Sequence, residues 1–219
     1  MESSTDQTVK LKKNNTIAGL IKPAILILML ILLSKDSLYR NHEAVKEFLG
    51  NVAQGDFILR KGKGFVSNAI ITLLNDGTGT SHCGVIILDS MAPAGFSVIH
   101  AASDHISNAN GMQKTSLVNF MQESVPGTNL IVRHRNTNPE IARKLTKDAS
   151  LYLKEARPFD HSFNITNHDA IFCSELLYML CKDRLNDTLY KESIKPYYSF
   201  AVFQDSEKFV KIWPKKSRP

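Results

Sequence analysis

Two apolar runs of strand length, residues 85–88 and 96–101, flank the turn-forming stretch 91–95 with its Pro93 and Gly95, and this spacing constrains the chain most. So short a connection joins strands as a hairpin. Further strands are predicted at 57–59, introduced by Gly55-Asp56, and at 130–133. The mostly apolar Phe65–Leu74 segment is predicted to be a helix, ended by Asn75-Asp76-Gly77-Thr78-Gly79. A second helix starts at Asn138, a capping residue followed by Pro139 in the first turn. It carries Ile141, Leu145, Ala149 and Tyr152 on one side and stops at Arg157-Pro158. A third begins around Cys173 and reaches Leu185. Helix, then strands, then helices is an α+β order, with an antiparallel sheet packed against helices, rather than a wound α/β sheet. At 219 residues and 43% hydrophobic, the chain suffices for one well-buried core.

Ahead of that domain, Lys10, Lys12 and Lys13 precede an apolar stretch from Ile17 to Leu33, broken only by Lys22 and Pro23. Residues 1–35 are read as a signal peptide or membrane anchor, 36–210 as the folded domain, with 36–54 as a leading helix, and 211–219 as a basic tail. The basic flank stays cytoplasmic, which predicts an exported, extracytoplasmic domain in the periplasm or cell envelope. Cleaved and uncleaved forms are both compatible with the sequence. The five lysines and two acids of 1–35 and the four basic residues of 211–219 account for the +6 net charge. Without them 18 basic and 19 acidic residues remain. A nearly neutral body argues against a nucleic-acid partner.

Cys83, Cys173 and Cys181 are odd in number and contain no Cys-x-x-Cys pair. On a shared helix Cys173 and Cys181 lie about 12 Å apart, beyond disulfide reach. Cys173 falls at a helix N-terminus, where unpaired amides and the helix dipole favour a thiolate. Alone it is more often a buried core thiol, so a catalytic role needs a partner. His82 follows a Gly/Thr/Ser loop and opens a strand, and the hairpin brings His100 beside it, which suits a general base and the group that orients it. Cys83 is expected on the opposite face, in the core. His82, His100, His105, Cys83 and Cys173 are the conceivable zinc donors, but no tight ligand pair occurs. The expectation is no metal and no cofactor. Gly-x-Ser-x-Gly is also missing, against a serine hydrolase of the commonest kind.

Four segments in order, Gly55-Asp56-Phe57-Ile58-Leu59, Ser81-His82-Cys83-Gly84-Val85, Val98-Ile99-His100-Ala101 and Phe172-Cys173-Ser174-Glu175-Leu176, resemble the permuted NlpC-type papain-like enzymes. The similarity is to their YiiX/YaeF-like branch, related to lecithin:retinol acyltransferase-like proteins, and covers about residues 52–185. His before Cys is the permuted order. The resemblance implies a circularly permuted papain-like fold, Cys173 as nucleophile, His82 as general base and His100 as the orienting group, where this branch often carries Glu. Phe159-Asp160 is similar to the family's aromatic-Asp pair ahead of the cysteine, a wall of the substrate cleft or a loop-packing element. The expected activity is a cysteine peptidase or amidase acting through a thioester on peptide or peptidoglycan-like amides. The alternatives are a lipid acyltransferase or thioesterase, and a non-catalytic binding module on the same fold.

Overall fold

The computed structural model describes residues 45–105, 109–189 and 199–214. It divides into two compact units, 1–50 and 51–219. Of the first, residues 45–50 are described and are helical. The apolar stretch Ile17 to Leu33 lies outside the described residues. Among those described, no helix is long and apolar enough to cross a membrane.

The second unit is α+β. Its sheet is formed by β1 (Phe57–Arg60), β2 (His82–Leu88), β3 (Phe96–Ala102), β4 (Gly111–Ser116), β5 (Leu130–His134) and β6 (Phe209–Trp213). The spatial order is β4-β3-β2-β1-β5-β6, with every neighbouring pair antiparallel. The helices are α1 (Phe65–Leu74), α2 (Leu117–Gln122), α3 (Pro139–Lys154) and α4 (Cys173–Leu185). The expected hairpin is β2–β3, with Val85 opposite Ile99.

The central strands β1 and β2 are buried through Ile86, and the core forms between them and the pair α3 and α4. Asn138 caps α3 by accepting from the amides of Glu140 and Ile141, and Ala142, Leu145, Ala149 and Tyr152 line its core side. Helix α4 is buried from Ser174 to Cys181, including Leu176, Leu177 and Leu180 at 0% exposure. A side chain the size of leucine gains about 1.5–3 kcal/mol on full burial, so this helix is fixed by packing rather than by propensity. An Arg184–Asp148 ion pair, with Nη2 at 2.8 Å from Oδ1, ties α4 to α3.

Gly84 sets the spacing between β2 and β3. A Cβ there would lie 2.5 Å from Val98 Cγ1, 2.7 Å from the Ile99 carbonyl oxygen and 3.0 Å from His100 Cβ. Any side chain would push β3 away, and with it His100 from His82.

Strands β4 and β6 were not legible in the sequence. Both are sheet edges, and edge strands with charged or polar side chains lose the alternating apolar signal while avoiding edge-to-edge pairing. In β4, Gly111 and Met112 are buried but Gln113 to Ser116 are not. In β6 only Phe209 is buried. The strand runs through Lys211 to Trp213, so the stretch read as a basic tail begins inside the sheet, and residues 215–219 lie outside the described residues.

Candidate active site

Cys173 is the first residue of α4, and the entry to that helix is held by Glu175. One carboxylate oxygen of Glu175 accepts from the Phe172 amide at 3.2 Å and the other pairs with His168 Nδ1 at 2.8 Å. The Glu175 side chain is fully buried, and burial is the main force raising its pKa. With the backbone pinned one residue before it, Cys173 has little freedom to drift.

His82 opens β2 directly opposite Arg60 of β1. Its Nε2 lies 3.0 Å from His100 Nδ1, and His100 Nε2 lies 3.0 Å from Thr115 Oγ1 of β4. One arrangement of these protons leaves His82 with a free ring lone pair. Its Nε2–H donates to His100 Nδ1, and His100 Nε2–H donates to the threonine hydroxyl, leaving the lone pair on His82 Nδ1. Both imidazoles are buried, at 5% and 3% exposure, and they meet edge to face while His82 stacks on Phe120 at 5.5 Å. Burial, then the neighbouring His100, then Arg60 push the His82 pKa well below its ordinary value. Burial and Arg60 bring His100 down to about 3. Both shifts favour the neutral imidazoles at physiological pH.

Cys173 and His82 face one cavity of about 70 Å³, walled by Ile70, Leu73 and Leu74 of α1 and by Phe159, Phe163, Phe172 and Phe200. The Cys173 thiol is shifted towards the thiolate. The largest cause is a hydrogen bond from the Cys83 thiol, opposed by burial and reinforced by the backbone amides of Cys83, Ser174 and Cys173. In return, the Cys83 thiol is pushed well above its ordinary value by burial and by its bond to Cys173. Cys83 is fully buried, as the strand alternation predicts, yet it is also the largest influence on the thiol of the candidate nucleophile. Replacing Cys83 with alanine is expected to raise the midpoint of the pH profile for iodoacetamide labelling of Cys173. Cys83→Ser keeps a donor and is expected to stay below the alanine variant. Coincident profiles would reduce Cys83 to a packing residue.

No family model matches the chain, and no curated protein matches it in sequence. Among solved structures, the metalloprotein YiiX from Escherichia coli O157:H7 aligns with a TM-score of 0.60 at 18% identity, over 77% of this chain and 99% of YiiX. The fold is YiiX-like. Within this YiiX-like fold Cys173, His82 and Phe159 share the cavity, and His100 supports His82 from behind. Asp160 is not among the residues lining the cavity. Its carboxylate accepts from the Ser162 amide at 2.8 Å, the Ser162 hydroxyl at 2.6 Å and the Asn164 amide at 2.6 Å. It shapes the loop that presents Phe159 and Phe163. His105 lies apart from the His82–His100 pair, packing against His161 at 5.6 Å. Sequence reasoning passed over Thr115, Arg60 and Phe120. Arg60, one residue beyond an apolar run and followed by a Gly-rich turn, was the only one of the three with a visible signal: a charge at the end of a buried strand.

Proposed function

We propose that the chain is a cysteine-dependent acyl hydrolase of permuted papain-like type, acting on amides through a thioester. The observation that carries this reading is one cavity lined by both Cys173, at a helix start, and His82, backed by His100 and Thr115. His82 removes the Cys173 proton and the sulfur adds to the acyl carbon. The resulting imidazolium protonates the leaving amine as the C–N bond breaks, and water then releases the acyl group. The Cys173 amide at the helix start supports the oxyanion. Peptide or peptidoglycan-like amides fit the exported topology inferred from the N-terminal segment.

A second reading, transfer or hydrolysis of lipid acyl groups, is favoured by the walls of the cavity. Four phenylalanines and three aliphatic side chains of α1 line it, and one of the latter, Leu73, is also 61% exposed. An exposed apolar side chain on the wall of an apolar cavity suits a substrate that leaves a lipid surface.

YiiX is described as a metalloprotein. The residues here do not fit a metal: among the described residues no three His, Cys, Asp or Glu side chains converge, and His82 turns Nε2 towards His100 rather than towards a shared centre.

Incubation with an octanoyl anilide and with p-nitrophenyl octanoate, followed by mass spectrometry of the acid-quenched protein, tests the reading. The expected result is an octanoyl adduct on Cys173 and none on Cys83 or Cys181. The anilide as the better substrate supports the amidase, and the ester alone supports the lipid acyl reading. No adduct with either, together with iodoacetamide labelling of Cys173 no faster than that of Cys181, would leave a binding module.

A further inference from the structure

On the other side of His82 the apolar cavity gives way to a polar cleft of about 440 Å³, and the two share Ile70, Ser81 and His82 as their common wall. The cleft is bordered by Arg60, Lys63, Ser67 and Asn119, with Glu123 at its edge. Arg60 is 7% exposed. Its guanidinium lies 4.0 Å over the Phe120 ring, and its Nη1 reaches the Phe120 carbonyl and, at 3.0 Å, Glu123 Oε2. Its Nε–H is buried and has no hydrogen-bond partner among the described residues. A buried donor on a full positive charge is costly to leave unpaired unless something that comes and goes satisfies it.

Two further features carry positive potential to the same place. The Lys63 ammonium, held by the Gln122 carbonyl at 2.9 Å, stands at the cleft rim. The first turn of the ten-residue α1 has no side-chain cap and no acidic residue, and Ser67 in that turn lines the cleft. Uncapped amides and the helix dipole attract an anion. Arg60 and Lys63 against Glu123 leave one net positive charge, which matches a monoanion and disfavours a phosphate dianion.

Resting on the acyl-hydrolase reading, we infer that this cleft is the subsite for a carboxylate on the substrate, so that the enzyme takes amides with an apolar acyl group on one side of the scissile bond and a carboxylate on the other. Arg60 supplies a charge in the cleft wall and Lys63 a point charge at its rim. The selectivity is electrostatic, and salt weakens it.

Calorimetric titration of the full chain carrying Cys173→Ser reads binding without turnover. The ligands are N-octanoyl-4-aminobenzoate and its neutral counterpart, N-octanoyl aniline. The carboxylate is expected to bind about tenfold tighter or more. Lys63 is exposed, so Lys63→Glu should fold normally while cancelling the preference, and Glu123→Gln should enlarge it. Equal affinities, a preference that Lys63→Glu leaves intact, or no binding of either ligand would overturn the inference. A charge-dependent preference in a chain that never forms the Cys173 thioester would instead retain the anion cleft and reject the hydrolase.

Discussion

Replacing His82 with glutamine is expected to slow amide turnover by about 10³-fold, the usual worth of a positioned general base that also serves as the acid. Glutamine keeps a planar polar group beside Phe120 and a partner for His100, so the loss reports proton transfer rather than collapse of the stack. The pH dependence separates the two duties. With p-nitrophenyl octanoate, whose leaving group departs without a proton, the deficit should shrink as pH rises through the titration of Cys173, because the thiolate then forms unaided. With the anilide it should persist, because the leaving amine still lacks its proton. His100→Gln is expected to cost about tenfold, as befits a residue that fixes the tautomer of His82 without touching substrate. Equal rates for the wild type and His82→Gln on the anilide would remove His82 from the mechanism.

How much of this was legible beforehand follows the strength of the local signals. The β2–β3 hairpin, α3 with its Asn138 cap, and the placement of Cys173 at a helix start all rest on short-range patterns, and each is present. The pairing of His82 with His100 follows from the hairpin alone. What escaped is non-local. Thr115 supports His100 from β4, an edge strand whose polar residues resemble a loop. Arg60 faces His82 only because β1 pairs with β2 across α1 and the turn that follows it. Phe120 sits in a six-residue helix too short to show a period. Cys83 was placed correctly in the core, but strand alternation cannot reveal that α4 lays Cys173 against it. Thus the candidate pair Cys173 and His82, which line one cavity, could be picked out from the sequence, and the electrostatics around them could not.

Those electrostatics bear on folding as strongly as on chemistry, and the chain is expected to lose stability steeply on acidification below about pH 6.5. His100 has an ordinary pKa near 6.5 when unfolded and about 3 when folded, and His82 is depressed in the same direction by burial, His100 and Arg60. Between those limits the unfolded chain binds protons that the native chain refuses, so stability present above pH 6.5 is lost as pH falls towards 3. At pH 5 the His100 contribution alone is about 2 kcal/mol, a sizeable part of the 5–15 kcal/mol that holds a typical domain. The carboxyls of Asp56 and Glu175, raised chiefly by burial, act in the opposite sense, because the native state holds their protons more tightly. A bare pH profile therefore mixes the two. Comparison of the wild type with His100→Gln, by urea unfolding at pH 7 and pH 5, isolates the imidazole. The wild type should lose about 2 kcal/mol more than the variant over that interval. Parallel losses would mean that His100 titrates as an exposed histidine does, and the neutral His82–His100 chain on which the base depends would fall with it.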